Sequence, residues 1–236
     1  MIPKEEFIPA LTDAFSAWGF FPSPEQNERF YAYACLLSER NRVMNLTAVD
    51  HAEGIIERHF RDSLLPLRLG LLSAGKRYAD VGTGAGFPGL PLAVMMPEAT
   101  FVLTDSLAKR ITFLNEVIAA LGLSNVQTCL SRAETLGHSS QRETFDGVLS
   151  RAVSPLPVLC ELCLPLCRIG GQMLALKSAA AEEEIHGSLP AATLLGGDTP
   201  QLLGTAERNV VVIRKIAPTP PSYPRRDGVP AKKPLH

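Results

Sequence analysis

Tyr78-Ala79-Asp80-Val81-Gly82-Thr83-Gly84-Ala85-Gly86-Phe87-Pro88-Gly89 is the stretch that decides the fold. It opens as a short apolar strand ending in an acid. Three glycines follow at alternating positions, and a helix is expected over residues 88–95. Glycine lets the backbone turn sharply and removes the Cβ that would hold a ligand away. Strand, glycine loop and helix in that order form a unit of a doubly wound α/β sheet, with a cofactor cradle at the carboxyl end of the strand.

Working outward, residues 100–104, 125–130, 145–150, 173–177 and 209–216 read as further strands, and 107–121 as a helix stopped by Gly122. The run 209–216 is almost wholly apolar, which predicts burial on both faces. Strands alternating with helices argue a largely parallel sheet. Upstream, residues 1–72 read as a helical extension. Phe7, Leu11, Phe15 and Trp18 keep a helical period, Ser23-Pro24-Glu25-Gln26 is a helix start, and residues 53–67 predict a third helical segment. Residues 73–217 form the α/β core, and residues 218–236 a basic, proline-rich tail.

The net charge of -1 rules out a global basic field that would advertise a polyanionic partner. No run approaches the ~18 apolar residues of a membrane span. The N-terminus lacks the order of a secretory signal, so the expected location is cytoplasmic. Cys160, Cys163 and Cys167 fall on one helical face among leucines, so they read as core packing, and no metal is expected.

Two cofactor classes compete for the loop. Gly84 to Gly89 formally fits the dinucleotide fingerprint. An acid at Asp80, however, suits a cationic ligand without phosphate, such as S-adenosylmethionine (SAM), and would repel a pyrophosphate. Asp105, directly after the second strand, can accept from both ribose hydroxyls of an adenosine, which fits either cofactor. Arg132-Ala133-Glu134 follows the third strand, where an adenine would sit.

These segments, with Asn45-Leu46-Thr47, His59-Phe60-Arg61-Asp62-Ser63, Asp105 to Arg110, Phe145 to Ala152, Leu176-Lys177 and Tyr223 to Leu235, resemble the bacterial 16S rRNA (guanine-N7)-methyltransferases, the glucose-inhibited division protein B family. The resemblance runs from about residue 20 to the end and is weakest over residues 179–208. It implies a Rossmann-like SAM-dependent methyltransferase sheet of seven mostly parallel strands, and SAM as cofactor. The cofactor-binding residues implied are Asp80, Gly82, Gly84, Gly86, Phe87, Asp105, Ala133, Glu134 and Arg151. Phe87 and Ala85 stand where many members carry an aliphatic residue and a proline. The substrate implied is one guanine of 16S rRNA, in a small ribosomal subunit or an assembly intermediate, met by a monomeric enzyme.

Guanine N7 carries an in-plane lone pair and no proton, so in-line methyl transfer needs positioning and no general base. Arg151, at the end of the fourth strand, is the expected catalytic residue: a guanidinium can stack on a base or hold O6. An ion pair with Asp80 or Glu134 is the alternative for it. Arg61, Lys177, Arg225, Arg226, Lys232 and Lys233 are the expected RNA contacts, although a solvated basic end explains the tail equally simply. His59 is expected to hold the extension on the sheet, with a contact to RNA or beside SAM as the alternative. The rival functions are an NAD oxidoreductase, a SAM-binding regulatory module, and a methyltransferase for another acceptor.

Overall fold

The computed structural model describes residues 3–178, 181–205 and 208–235. Seven strands form one sheet in the order β3-β2-β1-β4-β5-β7-β6. They are β1 (Arg77–Val81), β2 (Thr100–Asp105), β3 (Val126–Leu130), β4 (Phe145–Arg151), β5 (Cys167–Ser178), β6 (Gln201–Gly204) and β7 (Arg208–Arg214). The first five run parallel. β7 is antiparallel to both β5 and β6. The strand order reverses between β1 and β4, and a crevice opens at such a switch point beyond the carboxyl ends of the strands.

The extension holds α1 (Lys4–Ser16), α2 (Pro24–Met44), a turn α3 (Ala52–Gly54), a π-helical segment (Ile55–Arg61) and α4 (Leu65–Arg68). Ser23 and Gln26 form a reciprocal capping box that starts α2. Residues 53–67 are thus not one α-helix: the middle turns widen to π geometry, which often marks a functional position. The core adds α5 (Gly89–Met95), α6 (Ala108–Leu121), α7 (Ala133–Leu136), α8 (Leu156–Cys163) and α9 (Ala181–Leu194), and α10 (Val229–Lys232) lies in the tail.

Two apolar layers cover the sheet. On one face Phe7, Phe15, Phe30, Tyr33 and Phe60 of the extension share a continuous core with Leu90, Phe101 and Phe113. On the other, α8 and α9 pack over Val81, Val148 and Ile213. Cys160, Cys163 and Cys167 are part of this second core, and burial pushes the Cys160 and Cys167 thiols up to about 12. Among the described residues no helix is long and apolar enough to cross a membrane.

Candidate active site

A cleft of about 570 Å³ opens at the carboxyl ends of β1, β2 and β4. Its floor is the glycine loop, and Asp80 holds that loop from behind. The Asp80 carboxylate is fully buried; one oxygen accepts from Thr83 Oγ1 at 2.7 Å and from the Gly89 amide at 2.8 Å. Its other oxygen has no hydrogen-bond partner among the described residues. Burial pushes this carboxyl up to about 6, against the pull of those two donors and of Arg151. Asp80 is not among the residues lining the cleft, so its effect on a ligand acts through the loop it clasps. The Gly89 amide is the first of α5. A pyrophosphate arriving there would meet a buried carboxylate in place of a free amide, so the loop fits a cofactor without phosphate.

The loop is open on one side. A Cβ on Gly84 would meet nothing closer than the Gly82 carbonyl at 4.0 Å, while one on Gly86 would strike Leu90 at 2.4 Å and the Tyr33 hydroxyl at 2.7 Å. Tyr33 also donates to the Ala85 carbonyl at 2.5 Å, so α2 of the extension fixes the loop. Tyr33 looks in the sequence like any aromatic on an apolar helix face, which is why its part in the site was invisible there.

Asp105 lies at the rim, almost buried, accepting from the Gly84 and Leu107 amides at 3.1 and 2.9 Å and from Arg110 Nη1 at 3.0 Å. A carboxylate offers about four acceptor positions, and the Arg110 contact is the exchangeable one, so ribose hydroxyls can be received here. Ala133 and Glu134 line the same end. The Glu134 carboxylate takes the Gly228 amide at 2.9 Å, and Gly228 and Ala231 themselves line the cleft. The tail therefore forms part of the cofactor wall.

Arg151 forms the opposite wall. Its guanidinium donates to the Arg58 carbonyl at 3.0 Å and to His59 Nδ1 at 3.0 Å, and lies 5.1 Å over the Phe87 ring. It makes no ion pair with Asp80 or Glu134. A guanidinium only donates, so His59 Nδ1 accepts, and His59 Nε2 carries the proton given to Thr47 Oγ1 at 2.7 Å. Burial, aided by Arg151, pushes His59 down to about 4, so the ring is neutral. Phe87 stacks on His59 at 4.5 Å and on Tyr33 at 5.4 Å. His59 thus joins the extension, through Thr47, to the end of β4.

The expected RNA contacts divide. Arg226, Lys232 and Lys233 are exposed on the tail. Arg225 grips the buried Glu161 through Nε and Nη2 at 2.8 and 2.5 Å and also reaches the Lys233 carbonyl. Arg61 is likewise committed, paired with Glu57 and lying over Trp18 at 5.0 Å. Both pairings have one cause: a charge that reads as solvated in the chain finds a partner far away in sequence or one turn along. Lys177 is tied to the Ser154 carbonyl and to Glu184 at 2.9 and 2.8 Å, outside the cofactor cleft. Arg58 and Arg208, which no sequence feature singled out, line a neighbouring cavity.

The comparisons agree with this geometry. Residues 26–211 match the family model described as rRNA small subunit methyltransferase G. The chain is 47% identical over 220 residues to the ribosomal RNA small subunit methyltransferase G of Desulfitobacterium hafniense, covering 90% of this chain and 91% of that one. It is 41% identical over 238 residues to the protein of the same name from Bacillus subtilis, covering 98% of each. Among solved structures, a SAM-dependent O-methyltransferase from Thermotoga maritima superposes with TM-score 0.54 at 12% identity over 78% of this chain and 72% of that one. A SAM-dependent methyltransferase from Aquifex aeolicus gives 0.51 at 18% identity over 66% and 93%. These two share the fold. The family model and these relatives show that the chain belongs to the rRNA small subunit methyltransferase G family.

Proposed function

We propose that the chain transfers a methyl group to N7 of one guanine in 16S rRNA, presented in a small ribosomal subunit or an assembly intermediate, without a general base. When bound, SAM supplies a methyl group on a sulfonium, an electrophile that needs no further activation. Gly82, Gly84, Gly86, Phe87 and Asp105 would hold it, with Ala133 and Glu134 at the adenine end and Asp80 setting the loop.

The observation that carries this reading is the hydrogen-bonded series Arg151–His59–Thr47 at the acceptor side of the cleft. Both imidazole nitrogens are engaged, and the ring is a weak base held near 4. Arg151 has used two of its five N–H groups and can only donate. Such a wall can orient a base through O6 but is poorly suited to remove a proton, and N7 has none to remove.

The test is single-turnover transfer from tritiated SAM to small subunits lacking the modification, at pH about 6.5 to 9, in H2O and D2O. A rate independent of pH with no solvent isotope effect is expected. A rate that rises with pH and slows in D2O would replace this mechanism with one that uses a base.

A further inference from the structure

Beside the cofactor cleft lies a second cavity of about 610 Å³. It is bounded by the carboxyl end of β5, the start of β7 and the π-helical segment. Arg151 and Ala152 line both cavities, and no other described lining residue is shared. Groups held in the two spaces can therefore meet only across the end of β4. Ala152 is there in the left-handed region, at φ 55°. A non-glycine residue held so is costly and tends to persist at functional sites; at this point it ends β4 with a side chain too small to close the gap.

Among the described residues, the second cavity is lined by more basic than acidic side chains. Asp62 is ion-paired with Arg208, and Glu184 with Lys177 at 2.8 Å. Arg58 and Arg151 also line it, and neither has a carboxylate within ion-pair distance among the described residues. The pull of the buried Asp80 reaches Arg151, so Arg58 is the guanidinium left for an anionic ligand. Leu65 and Leu176 add apolar wall. A space of this size takes a small ligand and not a helix. A single nucleotide splayed out of an RNA loop, with one phosphate and one flat base, meets all of these conditions.

We propose that this second cavity is the slot for the target nucleotide, with Arg58 on its phosphate and the Asp62 carboxylate oxygen not paired with Arg208 set between N1–H and the exocyclic amine of guanine. Asp62 lies one turn beyond Arg58 on the same face of its segment. The N1–amine edge of guanine lies across the ring system from N7, so a base gripped by Asp62 turns its N7 and O6 edge toward Arg151. Adenine would set the lone pair of its N1 against the Asp62 carboxylate and be rejected. The assignment rests on the guanine-N7 reading above.

Three variants test it: Asp62→Asn, Arg58→Ala, and Ser178→Trp, which places a bulky plug at an exposed position lining the slot. Each is measured for SAM affinity by calorimetry, for co-sedimentation with small subunits, and for methyl transfer. SAM affinity should be unchanged in all three. Asp62→Asn should lower kcat/KM for subunits about tenfold to a hundredfold, Arg58→Ala should weaken subunit binding, and Ser178→Trp should stop transfer. In subunits reconstituted with inosine at the labelled position, which lacks the exocyclic amine, wild type should slow while Asp62→Asn shows no further loss. Wild-type turnover and binding in Asp62→Asn and Ser178→Trp would overturn the slot. Absence of label in guanine with the wild-type enzyme would instead remove the N7 reading, and the slot with it.

Discussion

Asp80 and His59 both lie within the field of the Arg151 guanidinium, and burial gives their titrations opposite consequences for stability. Asp80 rises from 3.8 to about 6, so the folded state holds its proton more tightly than the unfolded state. Its contribution is greatest at low pH and is lost as pH rises through 6. His59 falls from 6.5 to about 4, so its contribution is present above 6.5 and is lost as pH falls through 4. Each shift corresponds to about 3 kcal/mol, and across pH 4–6.5 the two slopes oppose one another. Urea unfolding relative to wild type should separate them. Asp80→Asn should lose about 3 kcal/mol as pH is lowered through this window, and His59→Gln should lose a similar amount as pH is raised. Curves parallel to wild type in both variants would show that neither group titrates as described. The sequence made Asp80 conspicuous by its place at a strand end. Its oxygens turn inward because Thr83 and the Gly89 amide, three and nine residues on, close around it, a geometry that only the folded loop defines.

At the level of elements, the strands and the glycine loop were legible because burial leaves a period or an apolar run in the chain. β7 is one such run, buried along five consecutive residues between two neighbours. β6 is not: Gln201-Leu202-Leu203-Gly204 is short, mostly exposed and without alternation, and only its pairing with β7 makes it a strand. The π-helical segment escaped too, since its seven residues are too few for wider π turns to show as a distinct apolar period. The tail reads as a basic, proline-rich segment, and its docking was not legible. Arg142 donates to the Thr219, Pro220 and Tyr223 carbonyls, His138 meets the Pro224 carbonyl at 2.6 Å, and Arg225 neutralises the buried Glu161. These partners are 64 to 86 residues apart in the chain. Removing one member of a buried pair strands the other charge, at a cost of about 3–5 kcal/mol. Arg225→Ala should therefore lower the melting temperature by roughly 10 °C and weaken SAM binding, because the tail lines the cleft through Gly228 and Ala231. Arg226→Ala, at an exposed position, should melt like wild type and lose affinity only for subunits. Equal melting temperatures for the two variants would contradict the docked tail.

For the molecule as a whole, the net charge of -1 conceals an uneven distribution. Much of the basic charge is consumed by internal pairs, such as Arg61 with Glu57 and Arg225 with Glu161. Among the described residues, Arg226, Lys232 and Lys233 stay exposed on the tail, at one side of the cleft, and Arg58 lines the neighbouring cavity. Local positive charge around a deep crevice suits a protein that engages one position of a structured RNA, because phosphate contacts position and a pocket selects. Neither the composition nor the motifs could display this distribution, since it depends on which charges the fold neutralises. The crevice is proposed to deliver a methyl group to guanine N7. The most direct measurement is to incubate the protein with tritiated SAM and small subunits from cells lacking the modification, digest the RNA, and identify the labelled nucleoside. Label in 7-methylguanosine, at a single position, is the predicted result. Label in any other nucleoside, or none despite SAM binding, would contradict it.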